Sequence, residues 1–367
     1  MCRPMIDART RSKGLRDERT RASTRFLDGA FTNTSGVTPG IREGAGRGVV
    51  LEYLFGKNRR FPKAPLPCVS PLEGWARPLD GKLRATWLGH STVLLELGGA
   101  RVLTDPVWAN RASPVGFAGP KRFQPVPVAI EQLPKLDAVL VSHDHYDHLD
   151  REAVVALARR GETIVTSLGV GAHLERWGIP SERIVELDWW ESFPLAKADV
   201  RITATPSQHF SGRSLGDRNH TLWSSFVLES NDSRVFFSGD TGLTEEYAEI
   251  AARFGRFDLV MLEVGAFHPA WGHLHLGPDR ALDALALLGS TTLLPIHWGT
   301  FNLAVHAWDE PAERLVQLAS PRDVALVMPR IGEVVMPERP GTVELWWREI
   351  ASLEHGCSAL RESKPLI

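Results

Sequence analysis

Cysteine is scarce in this chain: three residues in 367, Cys2, Cys68 and Cys357, far apart and without CxxC spacing. That excludes a disulfide framework and a thiolate metal site, and it fits a reducing compartment. Any metal must then rely on histidine and carboxylate. Long apolar runs are also missing, since none approaches the roughly 18–20 residues of a membrane-spanning helix. The start, MCRPMIDARTRSKGLRDERTR, lacks the apolar stretch of a secretory signal, and Asp7, Asp17 and Glu18 argue against a transit peptide. A cytoplasmic location is expected. Charge of one sign is absent too: the formal net charge is −2, so nothing draws the whole molecule to nucleic acid, and no nucleic-acid partner is expected. Internal repeats and low-complexity tracts are not found.

What is present suits a globular enzyme. Hydrophobic content of 43% and charged content of 23% sit near the globular average, and the length permits one large core. Residues 1–48 are rich in Arg, Gly, Ser and Thr with little periodicity, which predicts a mobile start and assigns residues 1–50 no function. The proline-rich stretch 61–79 reads as extended chain lying over the core. KNRR, Lys57 to Arg60, reads as a solubility patch. The expected organisation is an N-terminal extension over 1–82, a folded domain over 83–350 and a tail over 351–367.

Regular structure begins near residue 83. LRATWL, TVLLEL and RVLT are short β-type runs separated by GHS and by the hairpin signal GGA. DAVLVS (137–142) fits a buried strand, REAVVALARR (151–160) a helix and TIVT (163–166) a strand. After a helical AHLERW, strands are expected near 183–187, 199–205, LWSSFVLE and RVFFS. FDLVMLEV and TTLLPI read as buried strands flanking the helix PDRALDALALLG, and DEPAERLVQLAS as a last helix. The order predicts an α/β protein with helices flanking stacked sheets.

Polar chemistry collects at strand ends. VSHDHYDHLD puts three of the thirteen histidines and three aspartates within residues 143–150, directly after DAVLVS. His209 follows RITATP, Asp240 ends RVFFSGD and His297 ends TTLLPIH. His and Asp are the usual nitrogen and oxygen ligands of zinc and similar metals. One ion could take His143, His145 and His209, a second Asp147, His148 and His297, with Asp240 bridging. Residues 143 and 145 of an extended segment point to the same side, which suits joint binding. Two ions about 3.5–4 Å apart can hold a bridging hydroxide and aim it at an electrophile.

HDHYDH at 143–148 is the HxHxDH signature of the metallo-β-lactamase superfamily, with His209, Asp240 and His297 following in that superfamily's order. The resemblance implies an αββα sandwich of two mixed β-sheets flanked by helices, with two divalent metal ions, usually Zn2+. Within it the chain looks most like the branch of N-acylphosphatidylethanolamine-hydrolysing phospholipase D and its bacterial relatives. WLGHSTVLLE (87–96), LTDPVW (103–108), RASP and GPKRF (111–123) and IHWGTFNLA (296–304) carry that closer match, which covers roughly 84–335. It implies catalytic roles for Asp147 and Asp240, a supporting role behind the ligands for Asp105, and for His275 a place near the substrate, steadying a phosphate or donating a proton to the leaving group. His90 is expected near the site mouth or as a plain turn histidine.

Two departures stand out. Where the branch has Arg-Trp-Phe-Met before the substrate histidine, this chain is shorter and has Pro269, Ala270, Trp271 and Gly272, which leaves the lipid substrate open. Asp150 replaces a small residue usual in glyoxalase and lactamase branches, against thioester or β-lactam hydrolysis.

The leading reading is a phosphodiesterase acting on a small molecule or phospholipid, with Lys121 and Arg122 attracting an anionic headgroup. The loop PVWANRASPVGFAG, with Trp108, Val115 and Phe117, either rests on the inner face of a bilayer or packs on the core. A lactonase of the ascorbate-lactone type is the alternative. A tRNA-processing ribonuclease needs a basic arm that is missing here, and an inactive metal-binding module should have lost a ligand position, which this chain has not.

Overall fold

The computed structural model describes residues 13–37, 40, 42, 44–196, 198–214 and 216–351. Helix α1 (Lys13–Ala22), a small hairpin of β1 (Phe26–Leu27) and β2 (Ala30–Phe31), α2 (Gly46–Phe55) and the short α3 (Leu72–Trp75) precede the sheets. The first half then contributes β3 (Arg84–Gly89), β4 (Thr92–Leu97), β5 (Ala100–Thr104), β6 (Ala138–Val141), α4 (Arg151–Arg159), β7 (Ile164–Ser167), α5 (Gly171–Arg176) and β8 (Ile184–Leu187). The second half contributes β9 (Ser192–Pro194), β10 (Arg201–Thr205), β11 (Ser225–Glu229), β12 (Arg234–Phe237), α6 (Glu246–Phe254), β13 (Leu259–Glu263), α7 (Gly277–Leu287), β14 (Thr292–Ile296), α8 (Glu310–Ala319) and β15 (Ala325–Leu326). Finally β16 (Val334–Val335) returns to the first sheet.

Two seven-stranded sheets result, ordered β16-β3-β4-β5-β6-β7-β8 and β15-β14-β13-β12-β11-β10-β9. Each is antiparallel at one end and parallel from β5 or β12 onward. The apolar runs of the sequence are continuous because both faces of a strand are covered. Along β6, Ala138 and Leu140 join the core between the sheets, while Val139 and Val141 face the layer of α4 and α5. β4 alternates the same way, with Leu95 inward and Leu94 outward.

Local chemistry places the helices. Asp150 caps α4, its Oδ1 accepting from the N–H groups of Glu152 and Ala153, and Ala153, Val154 and Leu157 form the buried stripe. The C-terminal end is anchored by Trp346 and Trp347, which pack against Trp298 in the inter-sheet core. Of the expected tail over 351–367, residues 352–367 lie outside the described residues.

Within the described part of the N-terminal extension, α1 packs on the folded domain. Arg16 of α1 is buried and pairs with Glu175 and Glu186, and Arg19 pairs with Glu191. These contacts are made across more than 150 residues of sequence, so no local pattern announces them.

Candidate functional site

Parallel strands deliver their following loops to one edge, and there the site forms. β5 ends before Asp105, β6 before the 143–148 loop, β12 before Asp240 and β14 before His297, while antiparallel β10 leads to His209. One donor group is His143, His145, His209 and Asp240, another is His90, Asp147, His148 and His297, and Asp240 lies against both. In the first, His143 Nε2 lies 2.8 Å from His145 Nδ1, His209 Nε2 lies 3.3 Å from the same Nδ1, and 3.7 Å separates His209 Nε2 from Asp240 Oδ2. In the second, Asp240 Oδ1 is 3.2 Å from both His148 Nε2 and His297 Nε2, and Asp147 Oδ2 is 3.5 Å and 3.4 Å from those nitrogens. The two oxygens of Asp240 thus face different groups.

The donor set suits divalent cations. Ligands at about 2.0–2.2 Å around one tetrahedral ion sit roughly 3.4 Å from one another, and these atoms already do. His148 Nε2, His297 Nε2 and Asp240 Oδ1 are buried and out of line for any hydrogen bond despite their closeness. Buried polar atoms are normally satisfied, so converging orphans imply a shared partner.

Charge in the site is divided. Burial holds His143, His145 and His209 below the ordinary histidine value, so their rings are neutral at pH 7. Burial also opposes charge on His148 and His297, but Asp240 and Asp147 outweigh it, with Asp105 adding at His148. His148 stands well above its ordinary value and His297 at about 10. Asp240 is buried and Asp147 partly so, and the facing imidazoles hold both well below the usual carboxylate range.

Supporting residues fix these positions. Asp105 accepts from the Ser142 N–H and hydroxyl at 2.7 Å each and from His148 Nδ1 at 2.6 Å, aiming Nε2 of His148 at the centre. His90 is not at the mouth. It is 1% exposed, its ring lies tilted with its centroid 4.1 Å from that of His297, and its Nε2 lies 3.1 Å from Asp147 Oδ2, so it belongs to the second donor group. Burial, opposed by Asp147, holds His90 down to about 3, so it is neutral. His90, Asp105 and His297 all have positive φ, a strain that the surrounding hydrogen bonds retain. Gly239, at φ +54°, precedes Asp240 where an added Cβ would meet Ser142 Cβ at 2.7 Å.

A cavity of about 330 Å3 opens over both groups. Its walls are largely apolar, with Phe210, Trp271, Leu274 and Leu303, and Arg218 is the cation among its lining residues. His275 lines it too, with Nδ1 3.3 Å from Oε1 of Glu263, a fully buried carboxylate. Trp271 comes from the shortened 269–272 segment, held by Arg42 N–H donating to the Ala270 carbonyl.

Some expectations change here. Arg122 is buried and donates to the carbonyls of Val107 and Ala109, so it braces the loop and cannot greet a headgroup. Lys121 sits across from Arg111 in an isolated bridge and does not line the cavity. Asp150 spends its Oδ2 on the N–H groups of Trp108 and Ala109 as well as capping α4. In the 107–120 loop Trp108 is anchored to the Val128 carbonyl, whereas Phe117 is 83% exposed.

Asn33, Arg218 and Glu263 escaped the sequence reading. Asn33 carried no signal at all, because it lies in an aperiodic stretch and meets His209 only through the fold. Glu263, a charge ending an apolar strand, was a visible anomaly.

Comparison with known proteins agrees with this geometry. Residues 100–298 match the family described as the β-lactamase superfamily domain. An uncharacterized protein of Mycobacterium tuberculosis is 44% identical over 333 residues, 89% of this chain and 88% of its own. The N-acyl-phosphatidylethanolamine-hydrolyzing phospholipase D 1 of Caenorhabditis elegans is 40% identical over 271 residues, 70% of this chain and 76% of its own. Among solved structures, an isothiocyanate hydrolase from Delia radicum gut bacteria shares the fold, with a TM-score of 0.56 at 24% identity over 69% of this chain and 98% of that one.

Proposed function

We propose that this chain, which belongs to the β-lactamase superfamily and is one of its metal-dependent hydrolases, cleaves phosphodiesters in the manner of a phospholipase D, on lipids of the N-acylphosphatidylethanolamine kind. The observation that carries it is Asp240, whose two oxygens face two separate donor groups on the floor of an apolar cavity. His143, His145, His209 and Asp240 would hold one divalent cation, and Asp147, His148 and His297 beside the same Asp240 would hold a second, zinc foremost by its liking for mixed nitrogen and oxygen donors. When bound, such a pair supplies Lewis acidity and makes hydroxide available near neutral pH.

The chain's own groups do the rest. Arg218 attracts the phosphodiester at the cavity wall. Phe210, Trp271, Leu274 and Leu303 take the acyl chains and keep bulk water out. His275 gives a proton to the departing oxygen, with the buried Glu263 carboxylate 3.3 Å from its Nδ1. Water adds to phosphorus as the bond to the N-acylethanolamine oxygen breaks, leaving phosphatidic acid. The apolar lining favours a lipid over a small polar lactone. Membrane contact fits the outer face of α2, where Val50, Leu51, Leu54 and Phe55 are exposed, and the exposed Phe117. No helix among the described residues is long and apolar enough to cross a membrane.

The test is hydrolysis of N-acylphosphatidylethanolamine in mixed micelles, followed by mass spectrometry, with a chelated control. Metal-dependent appearance of phosphatidic acid and N-acylethanolamine is expected. Cleavage of lactones or carboxylic esters alone would replace this reading with the lactonase one.

A further inference from the structure

A second and larger cavity, of about 690 Å3, lies against the same metal-binding loop but includes none of the donor residues. Tyr146 lines it, whereas its neighbours His145 and Asp147 line the cavity over the donor groups. Arg213 forms part of the wall. Its Nη1 donates to the carbonyls of Asp144 at 2.6 Å and Leu149 at 2.9 Å, and its guanidinium lies over the rings of Tyr146 and Trp177. Arg111, Arg151 and Arg176 complete the cationic lining.

The charges do not cancel. No carboxylate among the described residues pairs with any of the four arginines, and Arg151 and Arg176 are exposed and make no hydrogen bond there. Of the acidic residues in the wall, Asp150 accepts four backbone N–H groups and Asp217 accepts those of Arg213 and Ser214. Asp150, Glu152 and Asp217 bring three negative charges against four guanidinium groups, and with Arg111 and Arg213 donating to backbone carbonyls it is Arg151 and Arg176 that stand open to a ligand. Planar guanidinium forks match phosphate oxygens in geometry, and a phosphate monoester brings close to two negative charges at neutral pH.

The geometry points to this cavity as a binding site for a phosphate monoester, separate from the hydrolytic centre. The ligand is either a soluble ester or the headgroup of a lipid that ends in a monoester. The site stands whether or not the proposed hydrolysis does, since none of its residues belongs to that centre.

Isothermal titration of the chelator-treated full chain with glycerol 3-phosphate tests the soluble source, with metal-held phosphate removed as a contributor. Sedimentation with phosphatidylcholine vesicles, with and without phosphatidic acid, tests the lipid source. Arg151→Ala/Arg176→Ala removes two exposed side chains that hold nothing else, so folding and phosphodiester cleavage are unaffected. Saturable binding of either probe, weakened at least about tenfold in this variant, is expected, since charge-assisted hydrogen bonds to two side chains are lost. Binding in the titration alone identifies a soluble ester, and binding to phosphatidic acid vesicles alone identifies a lipid. No binding of either probe, or equal binding by the variant, overturns the site.

Discussion

Asn33 grips both backbone groups of His209. Its Nδ2 donates to the His209 carbonyl at 2.9 Å, and its Oδ1 accepts from the His209 N–H at 3.1 Å. The same side chain reaches the Val37 carbonyl and the Trp223 indole N–H. A residue from the N-terminal extension therefore sets where a donor histidine stands. Asn33→Ala is expected to weaken one of the two metal equivalents by about 10–100-fold, the usual cost of losing a ligand's support. Competitive chelator titration measures this. Unchanged affinity at both equivalents would mean that β10 alone positions His209.

Asp240 and His275 should separate metal holding from turnover. Asp240→Ala is expected to lose at least one metal equivalent and most of the activity, because each oxygen serves a different donor group. His275→Ala should keep both equivalents yet slow turnover by about 10²–10⁴-fold, the range for a general acid. Elemental analysis beside steady-state rates decides it. Metal loss from His275→Ala would make that residue a ligand, in keeping with its place near Asp240 and His297.

Metal uptake should release protons. In the metal-free protein His148 lies well above its ordinary value and His297 at about 10, so both rings are charged at pH 7 and must deprotonate to bind. Affinity is then expected to rise with pH up to about 10. Stability of the metal-free protein follows the opposite course. A raised histidine contributes fully below its unfolded value of about 6.5, and that contribution fades as pH rises through the folded value. Calorimetry in buffers of different ionisation enthalpy reads the proton count, and melting curves with chelator read the stability. Uptake without proton release would contradict the charge division in the site.

Asp150→Ala should cost about 2–4 kcal/mol, combining a lost helix cap with two charge-assisted hydrogen bonds to the loop before it. Urea unfolding with metal bound at a fixed concentration measures it. A loss below about 1 kcal/mol would show that water replaces the carboxylate at those N–H groups.

The sequence by itself determined the strands and the donors. DAVLVS, RVFFS and TTLLPI are apolar runs whose period and length admit little besides buried strands, and each is followed within two residues by His or Asp. Parallel strands carry their loops to one edge, so a list of strand ends already described a site. Only the tertiary structure decided what stands around it. His90 moved from the rim to beneath Asp147, and Arg122 from the rim into the loop's interior, because exposure is settled by whatever else packs there. The aperiodic segment around Asn33 became part of the site for the same reason. Asn33 meets His209 across 176 residues, and a contact of that kind leaves no periodicity behind. Ligand identity is written in residue type and local spacing, whereas position and charge state belong to the assembled core.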